Sequence, residues 1–113
     1  MRVALHSIIR EGSEADYEKT HGAVPHDLVE SFDRVGITSW TIWRSGRDLF
    51  HVVVADDYAA ADARLADDPA NRRWQAMIGP FVERFVEGED GGSPLLRQVW
   101  DFETQKQHEG DAR

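Results

Sequence analysis

Between Val3 and Ile9 the chain is aliphatic and β-branched (VALHSII), and Glu11-Gly12-Ser13 closes the run. That pattern predicts a strand. The apolar period then lengthens. Glu14 to Val35 fits one helix that stops at Gly36, with Leu28, Phe32 and Val35 on its buried stripe. Ser13 stands at the N-cap, and Glu14 and Asp16 fall in the first turn, where acids suit the helix dipole. Pro25 lies inside this helix and has no N–H for the carbonyl of residue 21, which predicts a kink. Thr38 to Arg44 (TSWTIWR) and Leu49 to Ala55 (LFHVVVA), joined through Ser45-Gly46-Arg47-Asp48, predict a hairpin. Ala59 to Ala66 reads as a short helix ended by Asp68-Pro69. Trp74, Met77, Ile78, Phe81 and Phe85 recur at helical spacing over Asn71 to Phe85, with a bend at Gly79-Pro80. A polar glycine-rich loop, Gly88 to Pro94, leads into a last strand, Leu95 to Phe102.

The order β-α-β-β-α-β is the ferredoxin-like plan of the α+β class, an antiparallel sheet with helices on one face. One domain spans residues 1–103, and residues 104–113 are polar, aperiodic and expected to form a flexible tail. The strands Val3 to Ile9 and Leu49 to Ala55 are apolar on both faces, and the helices cover only one. A second copy of the chain is the economical cover for the other, so a homodimer is expected.

Composition narrows the chemistry. The 113 residues include no cysteine, which removes disulfides, thiol nucleophiles and thiolate metal sites. The net charge of −8 argues against nucleic-acid binding. A hydrophobic share of 41% suits a folded domain, and no apolar run approaches a membrane span. With no signal-peptide pattern at the N-terminus, a cytoplasmic location is the expectation. Dinucleotide, P-loop and nucleophile-elbow motifs are missing from the sequence.

Tyr17 and His21 lie one turn apart and continue the stripe of Leu28, Phe32 and Val35, so they point toward the sheet. A buried pair satisfied by its neighbours would fit this pattern. So would an acid–base pair at a pocket, since histidine exchanges protons near neutrality. His6 and His51, on different strands, would have to join His21 to make a three-histidine metal site, and no HxH or HExxH spacing supports one. His26 reads as solvated, and Asp56-Asp57 and Asp67-Asp68 read as caps and solvated acids. The four tryptophans, Trp40, Trp43, Trp74 and Trp100, suit either core packing or a platform for the C–H face of a sugar.

Several stretches resemble the L-rhamnose mutarotase family. Tyr17-Glu18-Lys19-Thr20-His21 followed by Pro25-His26-Asp27-Leu28 is similar to that family's Y-x-x-x-H…(W)PEL helix. Trp40-Thr41-Ile42-Trp43, Asp48-Leu49-Phe50, Asn71-Arg72-Arg73-Trp74-Gln75 with Met77, and the closing Val99-Trp100 continue the likeness over about residues 1–103. The resemblance implies a ferredoxin-like dimeric α/β barrel and an isomerase of the aldose 1-epimerase type. It implies interconversion of the α and β anomers of a deoxyhexose without a cofactor or metal. His21 matches the family's acid–base histidine and Tyr17 its substrate-contacting tyrosine. Trp40 stands where a sugar-touching tyrosine is usual, and Trp74 and Gln75 where a Trp-Trp pair is usual. Pro25 takes the usual tryptophan position, and His26 replaces the proline. The ring-contacting positions therefore differ, which leaves the sugar open between L-rhamnose and a relative such as L-fucose. On the same fold, a cofactor-independent monooxygenase or haem-degrading enzyme and a non-catalytic ligand-binding module are the competing readings.

Overall fold

The computed structural model describes residues 1–88 and 95–111. All but the first residue of the loop expected at 88–94, and the end of the tail, lie outside them. The elements run β1 (Arg2–Ile9), α1 (Glu14–His21), α2 (His26–Arg34), β2 (Ile37–Ser45), β3 (Asp48–Ala55), α3 (Tyr58–Ala66), α4 (Pro69–Ile78), β4 (Val82–Phe85) and α5 (Phe102–Asp111). The sheet order is β2-β3-β1-β4, and all three pairings are antiparallel. This is the ferredoxin-like arrangement expected from the element order.

The hairpin forms as the pattern predicts. Gly46 carries a φ of +60° at the first turn position, which suits a tight two-residue turn that a side chain would strain. Asp57 and Asp68 cap α3 and α4, accepting from the backbone N–H of Ala60 and of Asn71, each at 3.1 Å. Ser13 precedes α1 but makes no cap bond with its side chain. Its ψ of 8° is outside the extended geometry from which a cap hydroxyl reaches back.

The long first helix is two helices, not one kinked rod. α1 ends at Gly22, and Val24 precedes Pro25, which disfavours the helical conformation there. Pro25 then starts α2 from an extended backbone, with ψ at 143°. The helix expected through Phe85 ends at Ile78. Gly79-Pro80-Phe81 forms one 3-10 turn, and Val82–Phe85 becomes an edge strand on β1. Pro80 cannot continue the helical ladder, and the free edge of β1 offers an alternative one. β4 takes only the Ser7–Ile9 part of that edge, and the expected strand Leu95 to Phe102 touches β1 just beyond it. A Leu5–Leu95 bridge and the Leu96 N–H to Ala4 C=O bond, 2.7 Å, form there in place of a regular strand. Val99 and Trp100 are accordingly off the sheet and exposed.

Residues expected in a loose tail form α5. Asp101 caps it, taking the Thr104 N–H at 3.0 Å and hydroxyl at 2.6 Å, and Arg2 anchors Asp101 to β1 at 2.7 Å. An Asp three residues before a Thr at the end of an apolar stretch was the overlooked cap signal.

Side chains alternate cleanly between the two sheet faces. Leu5, Ser7 and Ile9 on β1, and Leu49, His51 and Val53 on β3, are buried under the helices. Two apolar clusters lie there. One gathers Leu5, Ile37, Val53, Ala61 and Leu65; the other gathers Ile9, Tyr17, Leu28, Leu49, Trp74 and Ile78; Phe32 packs against both. Each fully buried aliphatic side chain contributes roughly 1.5–3 kcal/mol. Trp43 and Phe50 stand out on the opposite, uncovered face.

Gly36, between α2 and β2, has a φ of +89°, and a Cβ there would meet the Asp56 carboxylate at 3.2 Å. Gly36→Ala is expected to destabilise the fold by about 1–3 kcal/mol. Gly110, within α5, has no left-handed φ and open space around it, so Gly110→Ala is the control with little effect. Urea unfolding of both variants checks this, and equal midpoints contradict it.

Candidate active site

A cavity of about 430 Å³ opens between the covered sheet face and the helices, within the usual range for small-molecule sites. Tyr17, His21, Trp40, Trp74 and Gln75, the five residues singled out in the sequence, all line it. Their elements explain the convergence. Tyr17 and His21 sit one turn apart on α1, Trp40 faces inward from β2, and Trp74 and Gln75 come from α4.

His21 is half-buried at the last residue of α1. Its Nδ1–H donates to the Tyr17 carbonyl at 3.3 Å, leaving Nε2 with its lone pair and no protein partner among the described residues. Its ring lies 4.3 Å from that of Tyr17 and meets Trp74 edge-on at 5.1 Å. Burial lowers the His21 pKa, outweighing the bond to the Tyr17 carbonyl, so the ring is neutral and basic at Nε2 near neutral pH. Burial pushes Tyr17 up to about 12, which keeps its hydroxyl protonated and able to donate. Neither the Tyr17 hydroxyl nor the Trp74 indole N–H makes a hydrogen bond among the described residues. No polar side-chain atom there is sealed without a partner, so both groups open onto the cavity.

The structure adds residues that sequence reasoning passed over or weighed as metal ligands. His51 is 4% exposed and belongs to the cavity floor, bonded to both Ser7 and Trp40. Burial, then repulsion from His21 and His6, lowers its pKa to about 4. Tyr58 and Asp62, one turn apart on α3, close another wall; burial and the Asp62 charge raise Tyr58 to about 12. Their i, i+4 spacing after the Asp57 cap was the available sequence signal. His6 faces the other side of the sheet, stacked on Phe50 at 4.7 Å and paired with Asp48 at 2.8 Å. The three-histidine grouping therefore does not form. His26 is exposed and pairs with Glu30 at 3.0 Å. Trp100, bonded to Gln105, lies outside the cavity lining.

Among the described lining residues there is one carboxylate, Asp62, and no lysine or arginine. The lining offers donors, acceptors and flat apolar surface, and no cation for a phosphate or carboxylate. Fold and cavity together define a ferredoxin-like α+β domain with a small-molecule site between helices and sheet. Residues 2–102 match the L-rhamnose mutarotase family, and the chain belongs to it. It is 28% identical over 97 residues to an L-rhamnose mutarotase of Sinorhizobium medicae (strain WSM419), covering 83% of this chain and 91% of the relative. It is 38% identical over 72 residues to an L-fucose mutarotase of Xanthomonas campestris pv. campestris, covering 59% of this chain and 58% of that one. An L-rhamnose mutarotase structure from Formosa agariphila superposes with a TM-score of 0.71 at 17% identity, over 90% of this chain and 98% of that one.

His51 takes its proton near pH 4 when folded and near 6.5 when unfolded. Between those values the unfolded chain binds more protons, so stability is complete above about 6.5 and falls as pH drops toward 4. This residue alone accounts for up to about 3 kcal/mol of that loss. Urea unfolding followed from neutral to acidic pH measures it, and the dependence is expected to flatten in His51→Gln. Identical pH dependence in the two proteins contradicts the assignment.

Proposed function

We propose that this protein is an aldose 1-epimerase-type isomerase that interconverts the α and β anomers of a deoxyhexose, L-rhamnose or a relative such as L-fucose. The observation that carries this reading is the neutral His21 imidazole, its Nε2 unengaged among the described residues, beside the protonated Tyr17 hydroxyl in a cavity with no lysine or arginine among its described lining residues. Membership of the family supports it, as do relatives named for both sugars.

The reaction moves two protons and needs no covalent intermediate. His21 Nε2 takes the proton of the anomeric hydroxyl as the Tyr17 hydroxyl gives its proton to the ring oxygen, and the C1–ring oxygen bond breaks. The aldehyde end turns by about half a rotation. The ring oxygen then re-adds to the other face, returning its proton to Tyr17 as the His21 imidazolium gives its own to the new anomeric hydroxyl. Tyr17 donates to a sugar oxygen during ring opening. Trp74 and Trp40 pack against the ring, and Gln75 reads a hydroxyl. General acid–base help of this kind contributes about 10²–10⁴-fold.

The uncovered sheet face supports a homodimer. It carries exposed Trp43 and Phe50 beside partly buried Ala4, Ile8, Val52 and Val54, an apolar surface that a second copy would cover. No helix of the described residues is long and apolar enough to cross a membrane, which fits the cytoplasmic location we assign.

Magnetisation transfer between anomeric protons, measured over a panel of hexoses and 6-deoxyhexoses, tests the activity. Faster exchange with a deoxyhexose is expected, and unchanged exchange with every sugar sinks the proposal. His21→Ala is expected to lose about 10²-fold or more of the rate with an unchanged unfolding midpoint. The rate is expected to stay flat through neutral pH and to fall with a midpoint below 6.5; a midpoint above that value argues against His21 as the base. In sedimentation, the protein is expected at about twice 12.8 kDa, and Phe50→Glu at the single-chain mass. A monomeric parent rules the dimer out.

A further inference from the structure

Of the two tryptophans lining the cavity, Trp40 has its N–H already taken. It donates to His51 Nδ1 at 3.2 Å. An indole nitrogen only donates, so Nδ1 is the acceptor and the proton of the neutral imidazole sits on Nε2. Nε2–H in turn donates to Ser7 Oγ at 2.9 Å. The three residues come from three neighbouring strands, β1, β3 and β2. Ser7 is 1% and His51 4% exposed, so two members of this chain are sealed under the cavity floor. Phe32 lies against the indole at 5.3 Å with the rings 23° apart. The Trp40 ring is thus held at its N–H edge and stacked against α2.

What remains for a ligand is flat carbon surface with no hydrogen bond to give. The unengaged donors and acceptors come from the helices: the Tyr17 hydroxyl and His21 Nε2 on α1, the Trp74 N–H on α4, and the Tyr58 hydroxyl and Asp62 carboxylate on α3. We propose that His51 is a positioning residue that fixes Trp40 as an apolar platform. The cavity thereby takes a sugar whose C–H or methyl face lies on Trp40 while its hydroxyls turn to the polar groups of α1, α3 and α4 and its anomeric centre to His21. This rests on the mutarotase reading of the cavity. His51 does not transfer protons in this scheme, because both of its nitrogens are engaged by protein groups.

Two readings test it, one of them independent of any sugar. In a proton–nitrogen correlation spectrum, the Trp40 indole signal, identified by its loss in Trp40→Phe, is expected to move in His51→Leu and to exchange faster with water. The KM for the deoxyhexose is expected to rise about tenfold in His51→Leu, the scale of one lost hydrogen bond, with kcat changed by less than about threefold. His51→Gln restores most of the affinity, because its amide accepts from the indole and donates to Ser7. In a Trp40→Phe background, His51→Leu is expected to add no further change in KM. An unmoved indole signal overturns the proposal, as does a collapse of kcat at constant KM, or independent KM losses in the double variant. Should His51→Leu fail to fold, the indole signal in His51→Gln decides, because a changed acceptor moves it and an unmoved signal refutes the bond. A parent protein that exchanges no sugar removes the mutarotase reading and the platform's role with it, while the indole signal still judges the hydrogen bond.

Discussion

A serine and a histidine occupy the middle of the covered sheet face, and both have to find partners there. Ser7 on β1 and His51 on β3 are as buried as the aliphatic residues beside them. Burying polar groups without hydrogen bonds costs about 1–3 kcal/mol each, so the surrounding fold has to satisfy them. They satisfy one another, and Trp40 supplies the remaining donor. That requirement holds β2 in register at its inner tryptophan and keeps His51 uncharged. It also leaves the space above these residues unfilled by aliphatic side chains. The cavity lies above this polar floor, and the two apolar clusters meet through Phe32 beside it.

The break between α1 and α2 completes the enclosure. A continuous helix would carry its stripe straight across the sheet. Gly22 and Pro25 instead end one helix at His21 and restart another at His26. His21 therefore sits at a helix end, with its backbone-bound nitrogen turned to Tyr17 and its other nitrogen unengaged. Burial acts on the two facing groups in opposite senses. It makes the imidazole a neutral base and the phenol a persistent donor, the two states that proton transfer to and from a neutral sugar requires.

Much of this was legible in the sequence, for physical reasons. Strand and helix periods differ enough to reveal β-α-β-β-α-β, and Leu28 and Phe32, one turn apart, marked the packed side of α2, whereas carrying that stripe back to Tyr17 and His21 assumed a continuous helix that the chain does not form. Caps at Asp57 and Asp68 were readable from side-chain type. Failures came where elements compete for the same partner. Val82–Phe85 and Leu95–Phe102 both had the composition of a strand beside β1, and helical spacing of Phe81 and Phe85 concealed the first. Position along the edge of β1 decided between them, and spacing alone carries no information about that. The His51–Trp40 bond was likewise out of reach, because it depends on cross-strand register. The sequence placed both residues on strands and did not reveal that they meet.

In the proposed reaction, His21 Nε2 meets the anomeric centre of a deoxyhexose in this cavity. A crystal structure of the complex measures it directly. The anomeric and ring oxygens are expected within roughly 2.6–3.2 Å of His21 Nε2 and the Tyr17 hydroxyl, with the apolar side of the sugar on Trp40. A sugar bound with its anomeric centre turned away from His21, or seated outside this cavity, would contradict the account.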